Sequence, residues 1–238
     1  MKVGVKFFRR VVAPFTMLAV VVTLLCLSFS GVSVAASTDN KPIYKGSSPD
    51  KVSLMVNVYW GTEYLDEMLA IFNEKGVKTT FFVGGSWVRD NEEAFKHIVD
   101  AGHEIGNHGF FHKDHSKIGS ARNREEISAT HNLVQQLTGT EMKLFAPPSG
   151  AFGDVTLEIA KELGYTTVMW SKDTIDWRDK DEDLIFKRAT KNAVGGDLVL
   201  MHPTKATAAA LGRIIDLRLD RRARKRSNFA GLKRQHNH

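Results

Sequence analysis

From Lys51 onward the chain switches regularly between two hydrophobic periods. KVSLMVNV (51–58) reads as a strand, and TEYLDEMLAIFNEKG (62–76) places Leu65, Met68, Leu69 and Phe72 on one helical face. KTTFFVG (78–84) predicts the next strand and NEEAFKHIVDAG (91–102) the next helix; HEIGNHG (103–109) and RNREEISATHNLVQQLTG (122–139) repeat the pair. KLFAPP (143–148), a helix after Asp154, YTTVMWS (165–171), a helix from Asp181 and DLVLMH (197–202) complete the series. A strand and a helix alternating every 20–30 residues predict parallel βα units rather than a sandwich. In a barrel built this way, chemistry gathers at the C-terminal strand ends.

The two ends of the chain break this pattern. Residues 1–36 carry Lys2, Lys6, Arg9 and Arg10, no acid, and an apolar stretch from Val11 to Phe29. That predicts an export signal cleaved before Ser37, or an uncleaved membrane anchor, since the stretch is just long enough to span a bilayer. The protein is therefore expected to be exported, to the cell envelope or beyond, touching a membrane only through this segment. Polar residues 37–50 (STDNKPIYKGSSPD) read as a linker and 51–217 as the domain. A helix from Lys205 to about Leu219 then gives way to a basic tail, 218–238, with no alternating apolar run, so the last strand of a closed barrel is expected to be lacking.

Charge sharpens that division. The chain of 238 residues has a formal net charge of +6, yet residues 37–212 hold 20 basic and 25 acidic residues. The alkaline character belongs to the ends, and the domain itself offers no support for nucleic-acid binding. The single cysteine, Cys26, lies in the leader, which excludes disulfides and thiol redox chemistry from the domain. No Gly-x-Ser-x-Gly elbow is present to suggest a serine hydrolase. Oligomeric state is not legible.

Candidate chemistry sits at the predicted strand ends. GHEIGNHGFFH places His108 and His112 four residues apart with metal-ligand spacing. WSKDTIDW supplies Asp173, Asp176 and Trp177, carboxylates able to orient a histidine or bind sugar hydroxyls and an indole able to stack on a pyranose. LVLMHP ends a strand with His202, a general acid if a carboxylate partners it. FAPPSG sets a rigid turn with Pro147 and Pro148. His115 reads as a loop histidine, and His97, His103, His131, His236 and His238 as structural or solvent-facing.

Together, and with the KTTFF strand, these motifs resemble the polysaccharide deacetylases of carbohydrate esterase family 4, the NodB-homology group, over about residues 51–217. VNVYWG is similar to the first motif of the sporulation-associated branch. The resemblance implies a distorted (β/α) barrel and a metal-dependent hydrolase of amide carbon–nitrogen bonds, removing N-acetyl groups from cell-wall or chitin-like polysaccharide. It implies a divalent metal, zinc or similar, held by an Asp-His-His set that activates water. Carried over, His108 and His112 match the metal histidines, His202 the general acid and Asp173 its supporting carboxylate. Trp177 and Pro148 match walls of the sugar groove, with Asp176 as a further substrate contact.

The first motif departs from the family pattern. Where Thr-Phe-Asp-Asp-Gly usually supplies base and metal ligand, this chain reads Asn57-Val58-Tyr59-Trp60-Gly61. Aligned on the glycine, Tyr59 and Trp60 replace both aspartates; aligned on the sporulation branch, Asn57 takes the base position. Neither leaves an acid. Ala146 stands where the family carries an Arg, so the carboxylate and its cation are absent together. Glu63, Asp114 and His115 are the remaining candidates for a third metal ligand. Two readings stand: a deacetylase-like hydrolase, or a non-catalytic descendant that binds glycan or acts as an envelope or sporulation factor.

Overall fold

The computed structural model describes residues 40–217. The expected leader, the tail and any strand after 217 lie outside the described residues. Seven strands form one sheet: β1 (Ser53–Val58), β2 (Thr80–Val83), β3 (Glu104–Asn107), β4 (Leu144–Phe145), β5 (Thr166–Thr167), β6 (Lys172–Asp173) and β7 (Leu198–Met201). The order is β5-β4-β3-β2-β1-β7-β6, every neighbouring pair parallel. Parallel pairing follows from the helical connections: α1 (Leu65–Glu74), α2 (Gly85–Asp90), α3 (Glu92–Asp100), α4 (Ser120–Thr138), α5 (Asp154–Glu162), α6 (Glu182–Thr190) and α7, helical over 205–217. The sheet curls into a distorted half-barrel with the helices around it, as expected.

Residue alternation along the strands decides what faces the cleft. Val56 and Val58 of β1 pack outward under the helices with Phe81, Val83, Val199 and Met201. Met55 turns the other way and joins Phe82, Ala146, Val168 and Leu200 in a smaller inner cluster. A period of two then puts Asn57 on the inner side with Met55, at the C-terminal end of β1. Asn107 ends β3, Asp173 ends β6 and His202 follows β7, so the motifs converge on one rim of the sheet.

Two local features escape the sequence pattern. Helix α2 opens on Gly84, which the sequence reads as the end of a strand, and Gly85, and β6 is two residues long. The expected linker is also not free where it is described. Ile43 bridges Val168, Lys45 bridges Asp197, and Gly46 N–H bonds the Gly196 carbonyl at 2.8 Å. This segment lies along the sheet between β5 and the start of β7, using backbone groups that polar composition does not reveal. Among the described residues, no helix is long and apolar enough to cross a membrane.

Candidate active site

The turn after β1 is pinned from two sides. Gly61 adopts φ +67°, and the Trp87 indole N–H of α2 donates to its carbonyl at 2.9 Å. The Tyr59 ring lies so close to Gly84 that a Cβ there would overlap it, which accounts for a glycine at the end of β2. The Tyr59 hydroxyl pairs with the Ser86 hydroxyl at 3.2 Å.

β3 runs into the loop that carries the paired histidines, and buried polar groups shape that loop. Asn107, fully buried, accepts the Gly109 N–H at 2.9 Å and donates to the Ile127 carbonyl at 2.8 Å. Glu126 of α4, 1% exposed, accepts the N–H groups of Phe110 and Phe111 at 2.8 and 2.6 Å and pairs with Arg122 at 2.8 Å. The loop needs this clamp because His112 sits at φ +52°, costly for a residue with a Cβ. The Pro148 ring is buried beside Gly109, so it supports the histidine loop.

His108 Nδ1 lies 2.6 Å from the Ala146 carbonyl, which can only accept. The proton is therefore on Nδ1, leaving the Nε2 lone pair free. Nε2 faces the Asn57 amide nitrogen at 3.5 Å, and the Asn57 amide oxygen is buried without a partner. Burial first, and then the neighbouring His112, push the His108 pKa down to about 3. His112, 5.1 Å from His108 between ring centroids, is also lowered, mainly by burial. Both rings are neutral lone-pair donors at neutral pH.

On the opposite side, His202 Nδ1 is 2.7 Å from Asp176 Oδ1, and the His202 backbone N–H donates to Asp176 Oδ2 at 2.6 Å. Thr207 of α7 donates its hydroxyl to the same oxygen at 2.5 Å. His108, His112 and His202 all follow strand ends on the same rim of the sheet, and the adjacent residues Tyr59 and Trp60 link the two sides. Aromatic side chains fill the space between. Tyr59 lies on His112 at 4.6 Å, and Trp60 stacks on His202 at 5.2 Å with 22° between planes.

Several expectations change here. Asp173 does not support His202: its Oδ1 accepts the Ile175 N–H at 2.8 Å in a tight local turn. Ile175 then takes φ +54°, and this left-handed step swings Asp176 inward. Asp176 in turn is no sugar contact, being 2% exposed with both oxygens held by protein donors. Trp177 is 56% exposed, its ring 6.0 Å from the Arg178 guanidinium. His115 is buried, its Nδ1 bonded to Asn123 at 2.6 Å, and its Nε2 has no partner. Among the other histidines, His97 pairs with Asp66 on the surface, His131 bonds the Tyr165 hydroxyl, and His103 is buried. His236 and His238 lie outside the described residues.

The third-ligand candidates also fall elsewhere. Glu63 folds back to accept the Thr62 N–H at 3.0 Å, and Asp114 caps the short turn at His115 and pairs with Lys117. Among the described residues no three of His, Cys, Asp or Glu gather as a metal site. His108 is prepared as a ligand, with its second nitrogen oriented by a carbonyl. Two imidazoles and an amide nevertheless do not fit a site of three protein ligands. Glu126, the clamp of the loop, was not singled out in the sequence; within a charged helix nothing marks it from Glu125.

The sequence pattern of the Polysaccharide deacetylase family matches residues 44–168. The chain is 44% identical over 181 residues to the uncharacterized protein YlxY of Bacillus subtilis (strain 168), covering 75% of this chain and 56% of that one. It is 31% identical over 164 residues to the peptidoglycan-N-acetylmuramic acid deacetylase PdaA of the same organism, covering 67% and 62%. In three dimensions it is similar to BA3943, a pseudoenzyme of carbohydrate esterase family 4 from Bacillus anthracis, with 38% identity, a TM-score of 0.75, and coverage of 77% and 66%. A mutant of that pseudoenzyme with restored enzymatic activity matches equally well by TM-score, 0.75, at 36% identity over 77% and 68%. The chain thus spans less than two thirds of these curated relatives. With the family pattern matching more than half of its residues, the chain belongs to the polysaccharide deacetylase family, carbohydrate esterase family 4.

Proposed function

We propose that this domain is directed at N-acetylated amino-sugar polymers of the cell wall, or chitin-like glycans, as a deacetylase-like hydrolase. The observation that carries the reading is the Asp176–His202 pair on the same rim as His108 and His112, joined to them through the adjacent rings of Tyr59 and Trp60. Asp176 fixes the orientation and the Nδ1–H tautomer of His202, as a general acid for the departing amine requires. Family members are generally metal-dependent; a divalent metal such as zinc would supply an activated water, and here His108 and His112 would give it only two protein ligands, so it would be held loosely. The test is acetate release from N-acetylglucosamine oligomers and peptidoglycan with zinc or cobalt added. Release abolished by His202→Ala supports hydrolysis; release unchanged in that variant contradicts it.

A second reading is favoured by Asn57. An amide cannot take a proton at neutral pH, and loss of a general base costs about 10²–10⁴-fold. On this reading the domain binds glycan without deacetylating it, as an envelope or sporulation factor. Absence of acetate release together with retention on insoluble peptidoglycan or chitin supports it; absence of both contradicts it. Residues 1–36 further support export, as a cleaved signal or an anchor. N-terminal sequencing of the mature protein from cell fractions tests this: recovery of full-length chain from the cytoplasm alone contradicts export.

A further inference from the structure

Trp60 stands where the glycine-anchored alignment would place a carboxylate, and its surroundings give it another task. Its ring lies parallel to His202, 5.2 Å away at 22°, while 43% of the residue stays exposed. One face is therefore supported and another is open at the C-terminal rim of the sheet. The support is rigid. His202 is held by Asp176 through both its ring and its backbone, and Asp176 is locked again by Thr207. The backbone beside Trp60 is fixed by the Trp87 bond to Gly61.

An exposed indole held on both counts loses little freedom on binding, which is the condition for a strong stacking surface. A buried indole would be core, and an unsupported one would spend binding energy on becoming ordered. Trp60 is neither. Tyr59, the other residue at a carboxylate position, is spent on packing: its ring covers His112 and fills the space over Gly84.

We infer that Trp60 is a sugar-binding residue, presenting its open face to the apolar face of a pyranose ring of an N-acetylhexosamine polymer, with the His202–Asp176 pair as its support. The inference rests on the reading that this cleft receives such a polymer. It adds that the position has changed from chemistry to recognition, so that His202 serves binding even where no acid is needed.

The experiment is calorimetric titration of the protein with the N-acetylglucosamine tetramer. It is joined by NMR observation of the Trp60 indole N–H, assigned by its loss in Trp60→Phe. Expected are about a tenfold loss of affinity in Trp60→Ala, retention within threefold in Trp60→Phe, and a shift of the Trp60 indole signal on titration. Wild-type affinity in Trp60→Ala, or an indole signal that does not move while the tetramer binds, overturns the inference and leaves the glycan reading intact. If wild-type protein binds neither the tetramer nor peptidoglycan fragments, both fall. Should Trp60→Ala fail to fold by circular dichroism, the indole signal of the wild type decides.

Discussion

The two sides of the cleft are built to different standards. On the His202 side every polar atom of the Asp176 carboxylate meets a donor, at 2.5–2.7 Å. On the His108 side the nearest protein partner of Nε2 is an amide at 3.5 Å, and that amide leaves its own oxygen buried and unpaired. A buried unsatisfied acceptor costs about 1–3 kcal/mol, so Asn57 is tolerated rather than optimised. The contrast teaches that the two sides differ in how fully their buried polar groups are satisfied. Around Asn57 the packing is aromatic and apolar, with Tyr59 over Gly84 and Ala146 in an apolar cluster.

Restoring the weak side gives the largest expected effect. Asn57→Asp, combined with Ala146→Arg, returns a proton acceptor and a cation to hold it. Acetate release from peptidoglycan with zinc is expected to rise by about 10²–10⁴-fold. No rise in a folded double variant would mean that Tyr59 and Trp60, and not the amide, block the reaction. Damaging the strong side comes next. Asp176→Ala strands the His202 N–H groups and the Thr207 hydroxyl, and should cost about 3 kcal/mol in urea unfolding; Asp173→Ala, which breaks one local turn bond, should cost about 1 kcal/mol or less. Equal losses would erase the assignment of Asp176 as the partner of His202.

Gly84→Ala tests the packing of Tyr59 against Gly84. The added methyl meets the Tyr59 ring and should cost about 1–3 kcal/mol, largely recovered when Tyr59 is also made Ala. Additive losses in the double mutant would show that the two do not couple. A pH series probes the buried histidines at both ends of the sheet. At the N-terminal end His103, packed against Phe72 and Phe81 with Nδ1 accepting the Thr79 N–H at 3.2 Å, is lowered by burial to about 4. His108 and His112 are lowered at the other end. In each, the unfolded chain binds the proton more readily, near pH 6.5. Unfolding free energy should therefore be constant above pH 7 and fall as pH drops from 6.5 toward 4. A flat profile through that window contradicts the buried neutral state.

The sequence by itself determined the alternation of parallel βα units, the spacing of His108 and His112, and the absence of carboxylates from the first motif. These follow from periodicity and residue identity, which are local. Only the tertiary structure decided which of two nearby carboxylates serves His202, because a left-handed step at Ile175, a residue that ordinarily avoids it, turned Asp176 inward. It likewise decided that Glu126 clamps the histidine loop and that Ile43 and Lys45 join the sheet. It also put Trp60 on His202, across more than a hundred residues of chain. Such partnerships are fixed by packing and by the need to satisfy buried polar groups, and neither is written in the spacing of any one segment.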